Sequence, residues 1–207
     1  DTHALAINAA NKLGVYSSFA TTVLTRTNIG LQTVPTAVQL AVSPRDLTNV
    51  AWVATTMTVA FTATGIDGVI NSASTLTASA GNGTILQTVV SAAVVRTFSV
   101  FVKRRTGTGA IEITQDGVSW TAITSQINAS TYTRVSLTAT QLNPVIGFRV
   151  VTNADAIDVD VAQLQTGAFA TSPLYTTAST AGNQQVMDLT GRLALGVSGF
   201  IQADIRS

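Results

Sequence analysis

The sequence predicts an all-β protein: a β-sandwich preceded by an N-terminal arm that contains a short helix. Three observations predict it. Thr and Val stand where Lys and Glu are usual, so that 46% of the residues are hydrophobic and only 10% are charged. Thr and Val suit half-buried strands, whereas the helix-favouring Glu occurs once, as Glu112. Short alternating runs recur between turn residues, and no long stretch keeps a helical period.

Residues 1–42 form the arm. Leu5, Ala9 and Leu13 stand four apart, which predicts a short amphipathic helix stopped by Gly14. Residues 15–42 hold no sustained period and are broken by Gly30 and Pro35. The arm reads either as an ordered linker or as a docking arm that folds against a neighbour.

Residues 43–180 form the sandwich. Phe98, Val100 and Val102 alternate with Thr97, Ser99, Phe101 and Lys103, a period of two. Residues 103–109 read as a polar loop. Ile111 and Ile113 alternate again, Asp116-Gly117 is a two-residue hairpin signal, and Val118, Trp120 and Ala122 resume the pattern, which turns Trp120 inward. Residues 132–139, 145–152 and 157–164 read as three further strands, with turns at Asn143-Pro144 and Asn153-Ala154-Asp155. This spacing does not by itself choose between a jelly roll and an immunoglobulin-like topology. Residues 176–183 are small and polar, as a linker is, and 186–195 and 199–205 read as strands. Residues 181–207 therefore close the sandwich, pair with another chain or begin a further domain.

Composition excludes several function classes. The chain of 207 residues has no Cys, so no disulfide framework and no Cys-based zinc or redox site is expected. The only histidine is His3, beside the terminus, where a nucleophilic relay or a His-rich metal site is poorly held. A net charge of +1 argues against nucleic acid as a partner. No run of about 20 apolar residues is present, so no membrane insertion is expected. The first residues carry no signal-peptide pattern, and a start at Asp1 suggests a processed or partial product. A surface this poor in charge is weakly protected against association, which points to assembly, including a homo-oligomer.

One set of segments carries a family resemblance. It comprises Pro44-Arg45-Asp46-Leu47-Thr48-Asn49-Val50-Ala51-Trp52, Thr64-Gly65-Ile66-Asp67-Gly68-Val69 with Asn71-Ser72-Ala73, the strand 96–104, and Asp116-Gly117-Val118-Ser119-Trp120-Thr121. It closes with Gln163-Leu164-Gln165-Thr166-Gly167-Ala168-Phe169-Ala170-Thr171-Ser172-Pro173, its most specific part. Residues 44–180 resemble the carbohydrate-binding-module-like jelly-roll domain of bacteriophage virion proteins, found in tail fibres, tail proteins and related appendages. The resemblance implies a jelly-roll-type sandwich and a non-enzymatic structural protein on the virion surface. Display on a particle suggests weak multivalent contact with host surface glycans; the arm lies outside the resemblance, and its docking on other virion proteins is a separate expectation. The family often carries a lectin-like domain after the closing motif, where here only about 30 residues remain. Read from its residues alone, the closing motif is packing: Ile157, Val159 and Val161 bury one strand face, Gly167 permits a reversal, Phe169 plugs the end of the sandwich and Pro173 stops further pairing.

Candidate sites are few. Sugar binding needs aromatic faces with polar neighbours, and Trp120 and Tyr132 are the candidates. Asp155, Asp158 and Asp160 cluster by a turn and strand. They read as a solvated outer face or as ligands of a structural calcium ion, the only cofactor considered. A glycosidase pair needs two carboxylates about 5–10 Å apart and a cleft to raise one pKa, which a flat strand face lacks. Lys103, Arg104 and Arg105 form the only basic run, read as a solvated loop or a contact for an acidic surface or an anionic glycan. Gly107-Thr108-Gly109 lacks the setting of a phosphate loop. A rival reading of the whole is a carbohydrate-binding module of a secreted polysaccharide-degrading enzyme, monomeric and binding sugar through Trp120.

Overall fold

Apolar side chains at every second position build two sheets that face each other across one core. The computed structural model describes residues 7–10, 16–19, 26–27, 30–31, 37–175 and 182–183. Along the chain these form β1 (Ile7–Ala10), β2 (Tyr16–Phe19), β3 (Arg26–Thr27), β4 (Gly30–Leu31), β5 (Ala37–Val38), β6 (Val53–Thr55), β7 (Met57–Ala63), β8 (Ala73–Ala78), β9 (Gly83–Thr88), β10 (Val94–Thr106), β11 (Ile111–Thr114), β12 (Thr121–Ala122), β13 (Thr133–Gln141), β14 (Val145–Val150), β15 (Ala156–Thr166) and β16 (Gly182–Asn183), with one 3-10 turn at Thr124–Gln126. The first sheet has the order β13-β10-β15-β8-β7 and the second β12-β11-β14-β9-β6. Their strands pair antiparallel throughout, giving a jelly-roll-type β-sandwich.

The core lies between the sheets. Phe98, Val100 and Val102 of β10 and Ile157, Val159 and Leu164 of β15 meet Ile111, Ile113, Ile146, Phe148 and Ile85 from the facing sheet. Phe148 is its centre, edge-on to Phe98 at 5.8 Å and tilted against Trp52 at 6.4 Å. Each such side chain contributes about 1.5–3 kcal/mol by leaving water.

Strand β15 departs from plain alternation. Its register against β10 passes from Ser99↔Gln163 to Phe101↔Asp160, so Val161 and Ala162 together oppose Val100. Val161 takes the left-handed conformation, φ 50°. This bulge shifts the phase. Ile157 and Val159 face the core before it, and Ala162 and Leu164 after it. The expected third core residue, Val161, is buried but outside the core cluster. Asp158, Asp160, Gln163 and Gln165 consequently share the outer face.

One segment covers that outer face, held by the glutamines, and a second extends the sheet beside it. Gln163 accepts from the Leu174 N–H at 3.0 Å, and Gln165 accepts from the Thr171 N–H at 3.2 Å and donates to the Phe169 carbonyl at 3.1 Å. Residues 169–175 thus run as a strap across the sheet. The other segment, residues 39–44, takes the place beside β15 that β8 leaves. The Leu40 N–H bonds the Leu164 carbonyl at 2.9 Å, the Ala162 N–H bonds the Pro44 carbonyl at 2.7 Å, and the fully buried Gln39 side chain bridges Ala162 and Leu164. Residues 39–42, expected in the arm, are therefore built into the sandwich. Phe169, expected to plug its end, is instead 62% exposed, because its backbone rather than its ring is the anchored part.

Other expectations also change. The helix predicted over 4–13 is replaced at residues 7–10 by β1, which pairs with β2 from Ile7↔Phe19 to Ala10↔Tyr16. About ten residues are too few for a stable isolated helix, and Asn8 competes for its backbone, whereas a ladder satisfies it directly. Residues 4–6 and 11–13 lie outside the described residues, as do the expected strands at 186–195 and 199–205. The polar loop expected from residue 103 begins later, since β10 continues to Thr106. Asp116-Gly117 turns the chain, but Ile113 pairs with Thr121, so the connection is longer than two residues. β16 pairs with β5, Gly182 opposite Val38 and Asn183 opposite Ala37.

Candidate functional site

The basic run and the acidic cluster meet each other. Lys103 and Arg105 lie 3.4 and 3.2 Å from Asp158, which also accepts from the Thr75 hydroxyl at 2.8 Å. Arg104 points the opposite way from its neighbours, with Nη1 3.5 Å from Asp155, whose carboxylate also accepts from the Gly109 N–H at 2.7 Å. Gly107, at φ 80°, is required here: a Cβ would fall 1.8 Å from Asp155 Oδ1. Asp160 goes to a fourth cation, Arg45, through Nε–Oδ1 at 2.8 Å and Nη2–Oδ2 at 3.0 Å, and accepts from the Ile66 N–H at 2.9 Å.

The solvated face expected for Asp158 and Asp160 is thus a buried one, and the calcium site expected for Asp155, Asp158 and Asp160 is not formed. The three carboxylates diverge to separate cations, and among the described residues no three His, Cys, Asp or Glu side chains gather for a metal ion. The alternation that placed Asp158 and Asp160 together is correct; what sequence did not show is the arginine brought from 115 positions away.

Arg45 also reaches Asp67 at 2.8 and 3.0 Å and Ser72 at 2.9 Å, with its guanidinium 4.8 Å from the Tyr175 ring centroid. Burial acts to lower the Arg45 pKa, but its bonds to Asp160 and Asp67 outweigh that and raise it above its ordinary value. Burial likewise acts to raise Asp67, yet the Arg45 bond and the Val69 N–H hold it below the usual carboxylate range. The group is a structural clamp on the loop 64–72.

Tyr132 stands on this covered side. Its hydroxyl donates to the Thr64 carbonyl at 2.9 Å and Lys103 Nζ lies 4.9 Å from its ring centroid. Burial, followed by the Asp158 and Asp160 carboxylates, pushes its pKa up. Tyr132 is a strut, on the opposite sheet from Trp120, and the two do not come together.

Trp120 lies on the outer side of the second sheet. The alternation with Val118 and Ala122 predicted burial, yet Val118 is 80% exposed and Trp120 half-buried, because residues 115–120 form a loop and not a strand. The Asp116 carboxylate organises that loop, accepting from the Val118 and Ser119 N–H groups at 2.8 and 2.7 Å. Beside the indole, Arg149 places its guanidinium 4.6 Å from the ring centroid and forms an ion pair with Glu112, its direct register partner on β11. Thr84 continues the same row on β9. In the next row Gly147 permits a close approach of β9, since a Cβ there would meet the Ile85 carbonyl oxygen at 2.1 Å. The result is a half-exposed aromatic ring fixed by a cation, next to a donor and an acceptor. Such a surface can stack on a sugar's C–H face and hydrogen-bond its hydroxyls. Arg149 and Glu112 were missed by sequence reasoning, although each is a lone charge at the outward phase of an apolar strand.

No family model and no curated protein matches the chain. Among solved structures it is similar to the enzymatically active domain of bacteriophage CBA120 tailspike protein 4, at 13% identity and a TM-score of 0.42, over 62% of this chain and 21% of that one. It is also similar to the CBM22-1 xylan-binding domain of Paenibacillus barcinonensis Xyn10C, at 11% identity and a TM-score of 0.44, over 68% of this chain and 100% of that one. A family 29 carbohydrate-binding module complexed with mannohexaose gives 13% identity and a TM-score of 0.41, over 65% and 92%.

Proposed function

We propose that this chain is a non-enzymatic structural component of a bacteriophage virion, in a tail fibre, a tail-associated position or a head fibre, and that it displays a weak glycan-binding face to the host. The observation that carries the binding reading is the Trp120–Arg149–Glu112 group on the outer side of the second sheet, the side opposite the one that residues 169–175 cover. The virion setting rests on the resemblance of residues 44–180. In this reading Asp67, Asp155, Asp158, Asp160 and Glu112 serve as structural partners, each held by arginine or lysine. Residues 1–36 then attach the sandwich to other virion proteins, and a homo-oligomer multiplies a low single-site affinity.

A glycan array of neutral and acidic oligosaccharides, probed with the full chain displayed multivalently, tests the binding face. Binding is expected to be lost in Trp120→Ala and kept in Tyr132→Phe. Equal binding by Trp120→Ala and the unaltered chain overturns the assignment of this face. Light scattering separates the oligomer from the monomer expected of an enzyme's binding module.

A further inference from the structure

One edge of the sandwich is open in a way the others are not. The edge strands are β13 and β7 in the first sheet and β12 and β6 in the second. A sheet edge presents unpaired N–H and C=O groups, and proteins blunt it by shortness, a bulge, charge or proline. β12 has two residues and β6 three, and β7 loses its register against β8 between Ala60 and Ala63. β13 has nine residues and no proline, and its register against β10 runs unbroken from Val102↔Thr133 to Val94↔Gln141. Its one charge, Arg134, does not guard the edge: the guanidinium turns back over the sheet, donating to the Ser99 hydroxyl at 2.9 Å and to the Thr171 carbonyl.

The ladder also fixes which backbone groups face outward. The Val95 carbonyl accepts from the Gly167 N–H, so Val95 turns its backbone to the β15 side. This direction alternates along a strand, so Arg96, Phe98 and Val100 turn theirs to β13, where Ala139, Leu137 and Val135 receive them. The residues between, Arg134, Ser136, Thr138 and Thr140, direct N–H and C=O to the other side, where β13 has no neighbouring strand among the described residues. Ser136, Thr138 and Thr140 are exposed, and Leu137 is only half-buried against the core.

The strand's own sequence indicates what it accepts. Laid antiparallel on itself about Leu137, it sets Arg134 opposite Thr140 and Ser136 opposite Thr138. Its one charge then never meets its own copy, hydroxyls face hydroxyls, and Leu137 meets Leu137. All nine residues find a partner in this register, with about eight backbone hydrogen bonds between the strands. A net charge of +1 leaves two copies little mutual repulsion. We propose that β13 is a homodimer edge: two copies of the chain join it to itself about a two-fold axis at Leu137, which fuses their five-stranded first sheets into one. This gives the homo-oligomer of the proposed function its surface and does not rest on glycan binding.

Sedimentation equilibrium of the full-length chain tests this. The unaltered chain is expected to be a dimer. Ser136→Lys combined with Thr138→Lys sets lysines opposite lysines at exposed positions and is expected to raise the dimer dissociation constant about ten-fold or more, with the circular dichroism spectrum unchanged. Ser136→Glu combined with Thr138→Lys pairs opposite charges about the same axis and is expected to keep the dimer. Amide hydrogen exchange at Arg134, Ser136, Thr138 and Thr140 is expected to quicken on dilution. A monomeric unaltered chain overturns the proposal and the homo-oligomer with it. An oligomer that the paired lysines leave intact overturns this edge alone. Protection of the four amides that persists on dilution also overturns it, because the edge is then covered by the chain itself. Every variant keeps Trp120, so the glycan array reports on that face independently.

Discussion

The Arg45 guanidinium meets the Asp160 carboxylate side-on, with two contacts of 2.8 and 3.0 Å, and the Asp160 side chain is wholly buried. The pair ties the segment before β6 to the bulged strand at the centre of the first sheet. Removing one partner leaves a buried charge without compensation. Arg45→Met is therefore expected to destabilise the sandwich by about 3–5 kcal/mol, measured by urea unfolding. Asp67→Asn, which removes a partner whose side chain is 19% exposed, is expected to cost less.

Acid should weaken the fold through Asp67 and Asp116. Burial acts to raise the Asp116 pKa, but the N–H groups of Val118 and Ser119 hold it down to about 2 against an ordinary 3.8. Both groups thus have folded pKa values below their unfolded ones, and between those values the unfolded chain binds more protons. Their contribution is complete above the unfolded pKa, about 4, and is lost as pH falls towards the folded values. Through these two groups the urea midpoint is expected to drop between about pH 4 and 2, with a smaller drop in Asp116→Asn.

The bulge gives a comparison between two valines. Val159 sits in regular strand and Val161 at φ 50°, and both are buried. Glycine relieves a left-handed conformation that costs a branched residue about 1–2 kcal/mol. Val161→Gly is expected to be less destabilising than Val159→Gly by about that amount, read from chemical unfolding of the two variants.

Gln165 should control the strap. Gln165→Ala leaves the Thr171 N–H and the Phe169 carbonyl without their buried partner, a loss of about 1–3 kcal/mol. Limited proteolysis is expected to cut residues 168–175 faster in this variant, before the strands of the core are attacked. Cutting at the unaltered rate would show that the strap is held elsewhere.

Much of the sandwich was legible because its signals are local. The alternation at Phe98, Val100 and Val102, the strands after residue 132 and the turn at Asn143-Pro144 all depend on neighbours in sequence. The phase change at Val161 was not legible, because a left-handed valine carries no mark in composition and the run Ile157, Val159, Val161 alternates without a break. The fate of the aspartates was hidden for another reason: their partners come from β10 and from Arg45, and ion pairing across such separations follows only from the completed sheet. Trp120 was named as a candidate on its residue type, yet its exposure follows from the Asp116 loop, where a period of two was read through a turn. Gln163 and Gln165 belong to the most specific motif in the chain, and their use as side-chain substitutes for a strand partner explains why glutamine stands there.

The chain enters the sandwich past Ala37–Val38 and leaves it past Gly182–Asn183, and these two pairs are zipped to one another. A pull applied at Ala37 and Asn183 is borne first by that two-residue ladder and not by the ten strands beyond it. The sandwich hangs outside the line of force like a bead on a doubled thread. Tension across Ala37 and Asn183 opens this neck while the sheets stay unloaded.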